Sequence, residues 1–179
     1  MKEIIAQTLG VVAMLFNIFS YQQKSARRII AFQLFGTLFF SISFYMLDAY
    51  VGAILNLVAF IRAILFLKKD KLHTDNVLWM VGFCAVYLGA FVMIFTVFGQ
   101  EFTVPNLIIE SLPVIGMVAT HLAYRFDEAR IVRRFGLVSA CVWLIYNIIA
   151  VAVGAIACEA FGIVSIFIAM ARLDKKTAE

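Results

Sequence analysis

Charge is scarce in this sequence. Of 179 residues only 15% are Asp, Glu, Lys or Arg, against about 25% in soluble domains. Few charges leave little with which to build a water-facing surface. Proline is nearly absent, with two residues, and no Ser- or Gly-rich stretch interrupts the chain, so no flexible linker between separate domains is expected. Cys84, Cys141 and Cys158 are odd in number and each lies inside an apolar run. They exclude a disulfide framework and read as membrane-buried thiols. Also missing are a metal-spaced Cys/His cluster, a phosphate-cradling Gly loop and a Ser/His/Asp set at one depth. The sequence therefore reads as a non-enzyme, with no metal site and no cofactor.

What is present is apolar. Hydrophobic residues make up 64% of the chain and the mean hydropathy is +1.00. Apolar runs fall at 4–21, 28–47, 50–67, 77–98, 104–124, 131–149 and 151–171. Each has about the length that crosses a bilayer as a helix, roughly 20 residues. The second and third runs meet in a tight turn around Asp48, the sixth and seventh near Ile149–Val151. Merging either pair would give a helix of about 60 Å, twice the hydrocarbon thickness. The expected fold class is thus an all-α polytopic membrane protein with seven transmembrane helices. The first run leads to no small-residue cleavage site and reads as a retained helix rather than a signal peptide.

The charges then test the count. Lys24, Arg27 and Arg28 follow the first run, Lys68, Lys69 and Lys71 the third, Arg125, Arg130, Arg133 and Arg134 the fifth, and Arg172, Lys175 and Lys176 the seventh. Thirteen of the fifteen basic residues thereby fall on one side of a seven-helix topology. Lys2, Glu3, Asp48 and Glu101 fall on the other. Basic loops face the cytoplasm, which places the N-terminus outside and the C-terminus inside. The net charge of +4 reports this topology rather than a nucleic-acid partner. Arg62, inside the third run and about one turn from its cytoplasmic end, is expected to snorkel to the headgroups.

The chain also resembles itself. Slid by 103 positions, "TLGVVAMLFNIFSYQQKSARRIIAFQL" (8–34) faces "SLPVIGMVATHLAYRFDEARIVRRFGL" (111–137), and Met14, Tyr21 and Arg27 recur as Met117, Tyr124 and Arg130. "GAI" at 52–54 recurs at 154–156, shifted by one. This divides the chain into a first three-helix repeat (1–70), a linker helix with its loops (71–103) and a second repeat with a short tail (104–179). Two units of the same orientation need an odd number of crossings between them, which accounts for the linker helix. Such parallel repeats, related by an axis along the membrane normal, are a transporter plan with substrate sites near mid-membrane.

At the same offset Glu159, a carboxylate inside the apolar "GAIACEAFG", faces Asn56 in "GAILNLVAF". The plan of three helices, a linker and three helices resembles the SWEET and SemiSWEET sugar transporters and other PQ-loop proteins. The resemblance implies that Asn56 lines a substrate pocket and that Glu159 stands where the second asparagine would be. The Pro-Gln pair of that group is absent: "SYQQ" and "AYRF" end the two first helices. "ESLPVIG" (110–116), "GAILN" (52–56), "WLIYN" (143–147) and "ACEAFG" (157–162) more closely resemble the YgjV-type bacterial inner-membrane proteins. That likeness implies a multi-pass protein of the bacterial inner membrane and no particular substrate.

Candidate site residues follow. Glu159 is a ligand or proton site in a central pocket, or else a structural carboxyl, and ionisable groups inside a membrane are functional by default. Asn56 bonds either a substrate or a neighbouring helix. Trp143, Tyr146 and Asn147 share one face of their helix and suit a sugar or a heterocycle by stacking and hydrogen bonding. Phe40, Phe44 and Tyr45 occupy the equivalent stretch without an amide. Glu110 is an outer gate or an interface carboxylate, matched by Gln7. His121 is a proton site or a packing residue. A retinal protein would need a buried lysine on its last helix, and none precedes Lys175. The expected function is passage of a small polar, sugar-like solute by alternating access. A vitamin or nucleoside carrier and a non-transporting binding or assembly protein are the alternatives. Membrane lipid is the surrounding partner, and a homo-oligomer stays open.

Overall fold

The computed structural model describes residues 1–47, 50–151 and 153–174. Among the described residues seven long apolar helices follow one another: α1 (Lys2–Ser20), α2 (Ala26–Met46), α3 (Tyr50–Leu67), α4 (Val77–Thr96), α5 (Val104–Tyr124), α6 (Ala129–Ile149) and α7 (Val153–Ala169). No strand occurs among the described residues. Two shorter elements follow, one in a stretch expected as loop and one straddling the end of the seventh apolar run. They are a single helical turn at Lys69–Leu72 and a π turn at Met170–Asp174 that continues α7. The Asp48 turn lies outside the described residues.

Local chemistry sets the boundaries. Ser25 caps α2 by accepting from the Arg28 N–H, Asn76 caps α4 by accepting from Leu78 N–H, and Thr103 caps α5 by accepting from Asn106 N–H. Each satisfies a donor that the first turn leaves open. Six of the helices are long and apolar enough to cross a membrane, the last of them counted over Gly154–Asp174, while Gly52–Leu67 of α3 is a shorter apolar helix. At 1.5 Å per residue, α3 reaches about 27 Å, a few ångströms short of the hydrocarbon thickness.

The helices pack as two groups. In one, α2 lies between α1 and α3; in the other, α6 lies between α5 and α7. The groups meet through α1–α7, α2–α6 and α3–α5, and α4 rests on α5. Exchanging α1 with α5, α2 with α6 and α3 with α7 maps these interfaces onto themselves. Small residues allow the close approaches within each group. Ala6 and Ala13 of α1 are fully buried, and a Cβ on Gly36 would come within 3.3 Å of the Ala13 carbonyl oxygen. In the second group the Ser139 hydroxyl donates to the Gly116 carbonyl at 3.0 Å.

One end of the bundle is basic and cross-linked. Lys69 pairs with Asp127 at 2.5 Å and donates to the Arg125 carbonyl. Arg133 is buried, pairs with Asp174 and donates to the carbonyls of Tyr21 and Gln23. Arg172 donates to Gln22, whose amide donates to Ser165. These bonds gather the α1–α2, α3–α4 and α5–α6 connections and the C-terminal turn at a single end. Arg133 is therefore not a free loop charge but the knot tying three segments. Just inside this end lies the main apolar core, built around Ile29, Phe66, Val132 and Ile166. Of the thiols, Cys158 is buried and Cys84 partly so, whereas Cys141 is exposed on the outside of the bundle.

Candidate functional site

The two groups of helices enclose a cavity of about 360 Å³. Its lining comes from α1, α2, α3, α5, α6 and α7; among the described residues, α4 contributes none. The cavity extends from Gln7, Leu47 and Gly154, near the end opposite the basic loops, to Tyr21, Tyr124 and Arg62. At that inner end the core of Ile29, Val132 and Ile166 closes it. Volume and concavity are those of a small-molecule site.

Residues 103 positions apart line it together. Met14 and Met117, Asn17 and Thr120, Tyr21 and Tyr124, Phe40 and Trp143, Phe44 and Asn147, and Asn56 and Glu159 all border the cavity. The inner tyrosines meet the opposite groups. The Tyr124 hydroxyl donates to Gln33 of α2 at 2.5 Å. Tyr21 lies over Gly136 of α6, where a Cβ would fall 2.7 Å from its ring. Gly136 stands 103 positions after Gln33, so the missing side chain is what admits the ring.

The residues singled out in the sequence divide. Asn56, Glu159, Trp143, Asn147 and Phe44 border the cavity. Asn56 donates to the Gly52 carbonyl of its own helix at 2.9 Å. Glu159 makes no hydrogen bond or ion pair with any described residue. Trp143 packs against Gly116, where a Cβ would fall 2.7 Å from the indole nitrogen. Tyr146 does not border the cavity. It meets Trp143 edge-on at 5.9 Å and turns its hydroxyl to the Glu110 carboxylate of α5, at 3.4 Å. Glu110 also stands outside the cavity lining. His121 is fully buried among Phe66, Phe83 and Tyr87 and does not border the cavity. Neither of its ring nitrogens has a hydrogen-bond partner.

The family model for Imp-YgjV, bacterial inner membrane protein, matches residues 4–177. The chain belongs to the Imp-YgjV family. No curated protein and no solved structure matches it. The protein is accordingly a multi-pass protein of the bacterial inner membrane, and its apolar helices have the length and composition for that place.

One lining residue of this Imp-YgjV protein runs against the sequence reading. Arg62 does not snorkel. It is 3% exposed, donates through Nη1 to the Tyr87 hydroxyl at 2.9 Å and to the Met117 carbonyl at 3.0 Å, and lies 5.2 Å from the centre of the Tyr124 ring. Its Nε has no partner. Depth along the helix suggested a path to the headgroups, but the partners come from 25 and 55 residues away and hold it inward. The signal available in the sequence was a basic residue well inside an apolar run, five residues from its end.

Proposed function

We propose that the protein is a solute carrier in which two like-oriented three-helix units, residues 1–70 and 104–179, move against each other around the central cavity. Seven helices cross the membrane, the N-terminus lies outside and the basic end faces the cytoplasm. The observation that carries this reading is the cavity itself, bordered by residues 103 positions apart on exchangeable helices. The self-mapping set of helix interfaces supports it further, as does the confinement of the basic connections to one end. A cavity of about 360 Å³ suits a small polar solute of roughly sugar size. In this reading the structure is the outward-accessible state, sealed below by Tyr21, Gln33 and Tyr124. The SWEET-like plan belongs to the proposal, with Asn56 and Glu159 as paired ligands. So does the absence of any catalytic step.

The test uses a cysteine-free background in liposomes. Asn56→Cys should react with a small hydrophilic thiol reagent, and uptake of solutes should be screened with and without a proton gradient. Reaction of Asn56→Cys together with gradient-sensitive or passive uptake supports a carrier. A cysteine unreactive from both faces would show a dry, packed centre and favour a membrane-embedded assembly protein.

A further inference from the structure

The cavity holds an acid and a base that do not meet. Among the described lining residues Glu159 is the acid and Arg62 the base, and no ion pair joins them. Arg62 is buried with neutral partners alone: a phenol, a backbone carbonyl and an aromatic face. A guanidinium taken from water into a membrane interior without a counter-ion is expensive. Two neutral acceptors and a ring offset part of that and leave the positive charge uncompensated. The carboxylate of Glu159 is likewise without a described partner.

Geometry keeps the charges apart. Arg62 lies six residues beyond Asn56 on α3, about 9 Å along the axis. Asn56 borders the same cavity as Glu159. Elsewhere the walls offer neutral hydrogen-bonding side chains, Gln33, Asn17 and Asn147, with Trp143 and Phe40 as apolar surface. An unpartnered carboxyl and an unpartnered guanidinium bordering one small cavity are complementary to a molecule that carries both a cationic and an anionic group. A sugar could hydrogen-bond to both but would neutralise neither.

Resting on the carrier reading above, we propose that the cavity binds a small zwitterion. Its anionic group accepts from Arg62 and its cationic group donates to Glu159. Arginine suits the anionic end because its planar fork holds a carboxylate or a phosphate through two bonds. The Nη1 atom already serves Tyr87 and Met117, and the Nε edge is without an acceptor.

The experiment uses purified full-length protein in lipid nanodiscs. The probes are a length series of ω-aminocarboxylates, the alkanoate and the alkylamine of each length, and glucose. Calorimetry and thermal shift read binding. One chain length of the zwitterion should bind at least about tenfold tighter than either singly charged analogue, a difference of about 1.4 kcal/mol, and glucose should not register. Glu159→Gln should abolish the preference for the zwitterion over the alkanoate. Arg62→Lys keeps the charge while removing the fork and should weaken zwitterion binding about tenfold. Unchanged melting of the ligand-free variants verifies that they fold. Glucose binding equal to the zwitterion, unchanged preference in Glu159→Gln, or binding of no member of the panel would overturn the proposal. The carrier reading survives those outcomes if Asn56→Cys reacts in the liposome assay, and fails with the proposal if it does not.

Discussion

Val151 adopts φ +54° at the turn between α6 and α7, one residue after the Ala150 cap of α6. The left-handed region costs a β-branched residue about 1–2 kcal/mol, and glycine commonly takes this place. Val151 is largely exposed, so little packing is lost on removing its side chain. Val151→Gly should therefore raise the melting temperature in detergent, by an amount equivalent to about 1 kcal/mol. Unchanged or lower melting would place the turn in another conformation. Gly116 carries the opposite expectation. A methyl there would overlap the Trp143 indole at 2.7–2.8 Å, and overpacking of this kind costs about 1–3 kcal/mol. Gly116→Ala should lower the melting temperature and shift the tryptophan emission, since the ring borders the cavity. The sequence could not foresee that pairing. Gly116 and Trp143 are 27 residues apart, and an apolar helix carries no mark of which face meets protein and which meets lipid.

At the scale of the element, helix ranges were legible. The apolar runs and the observed helices agree within a few residues, because the hydrophobic length that spans a bilayer is a strong constraint. The turn at Lys69–Leu72 and the π turn at Met170–Asp174 were not legible, since polar segments this short carry no periodicity. Side-chain direction was partly legible. Trp143 and Asn147, four apart, both border the cavity, whereas Tyr146 rotates away to Glu110. Arg62 was misread because its partners Tyr87 and Met117 sit on other helices. Arg133 was counted among loop charges, yet it joins α6 to the α1–α2 connection and to Asp174. Breaking a buried pair strands the remaining charge, at about 3–5 kcal/mol. Arg133→Ala should thus sharply reduce the yield of folded protein. Asp174→Asn, which keeps an acceptor for the guanidinium, should be milder. Equal effects of the two substitutions, measured by melting in detergent, would remove the ion pair as the cause.

For the whole molecule, the decisive quantity is the number of crossings. Cysteine at Glu101 should react with an impermeant thiol reagent applied from outside intact spheroplasts. Cysteines at Lys24, Lys71 and Arg130 should react only after the membrane is opened. The native thiols all lie within the long helices and are removed first. Labelling at Lys71 and Glu101 from the same side would break the seven-crossing topology and with it the parallel orientation of the two units. The charge pattern carried this expectation because loops bearing lysine and arginine resist translocation.

The interface between α1 and α7 bears on biosynthesis. Ser165 donates to the Ile18 carbonyl and accepts from Gln22, bonds that join partners 147 and 143 residues apart. Thus α1 waits for α7. Within each group neighbouring helices can pack as soon as they leave the ribosome, since those contacts are local in sequence. The polar wall formed by Asn17 of α1 and Tyr21 just after it acquires its α7 neighbour only after about 147 further residues have been made. A nascent chain halted after α6 should accordingly be a better target for membrane proteases and insertion chaperones than one halted after α7, since α7 converts a half-open polar trough into an enclosed chamber.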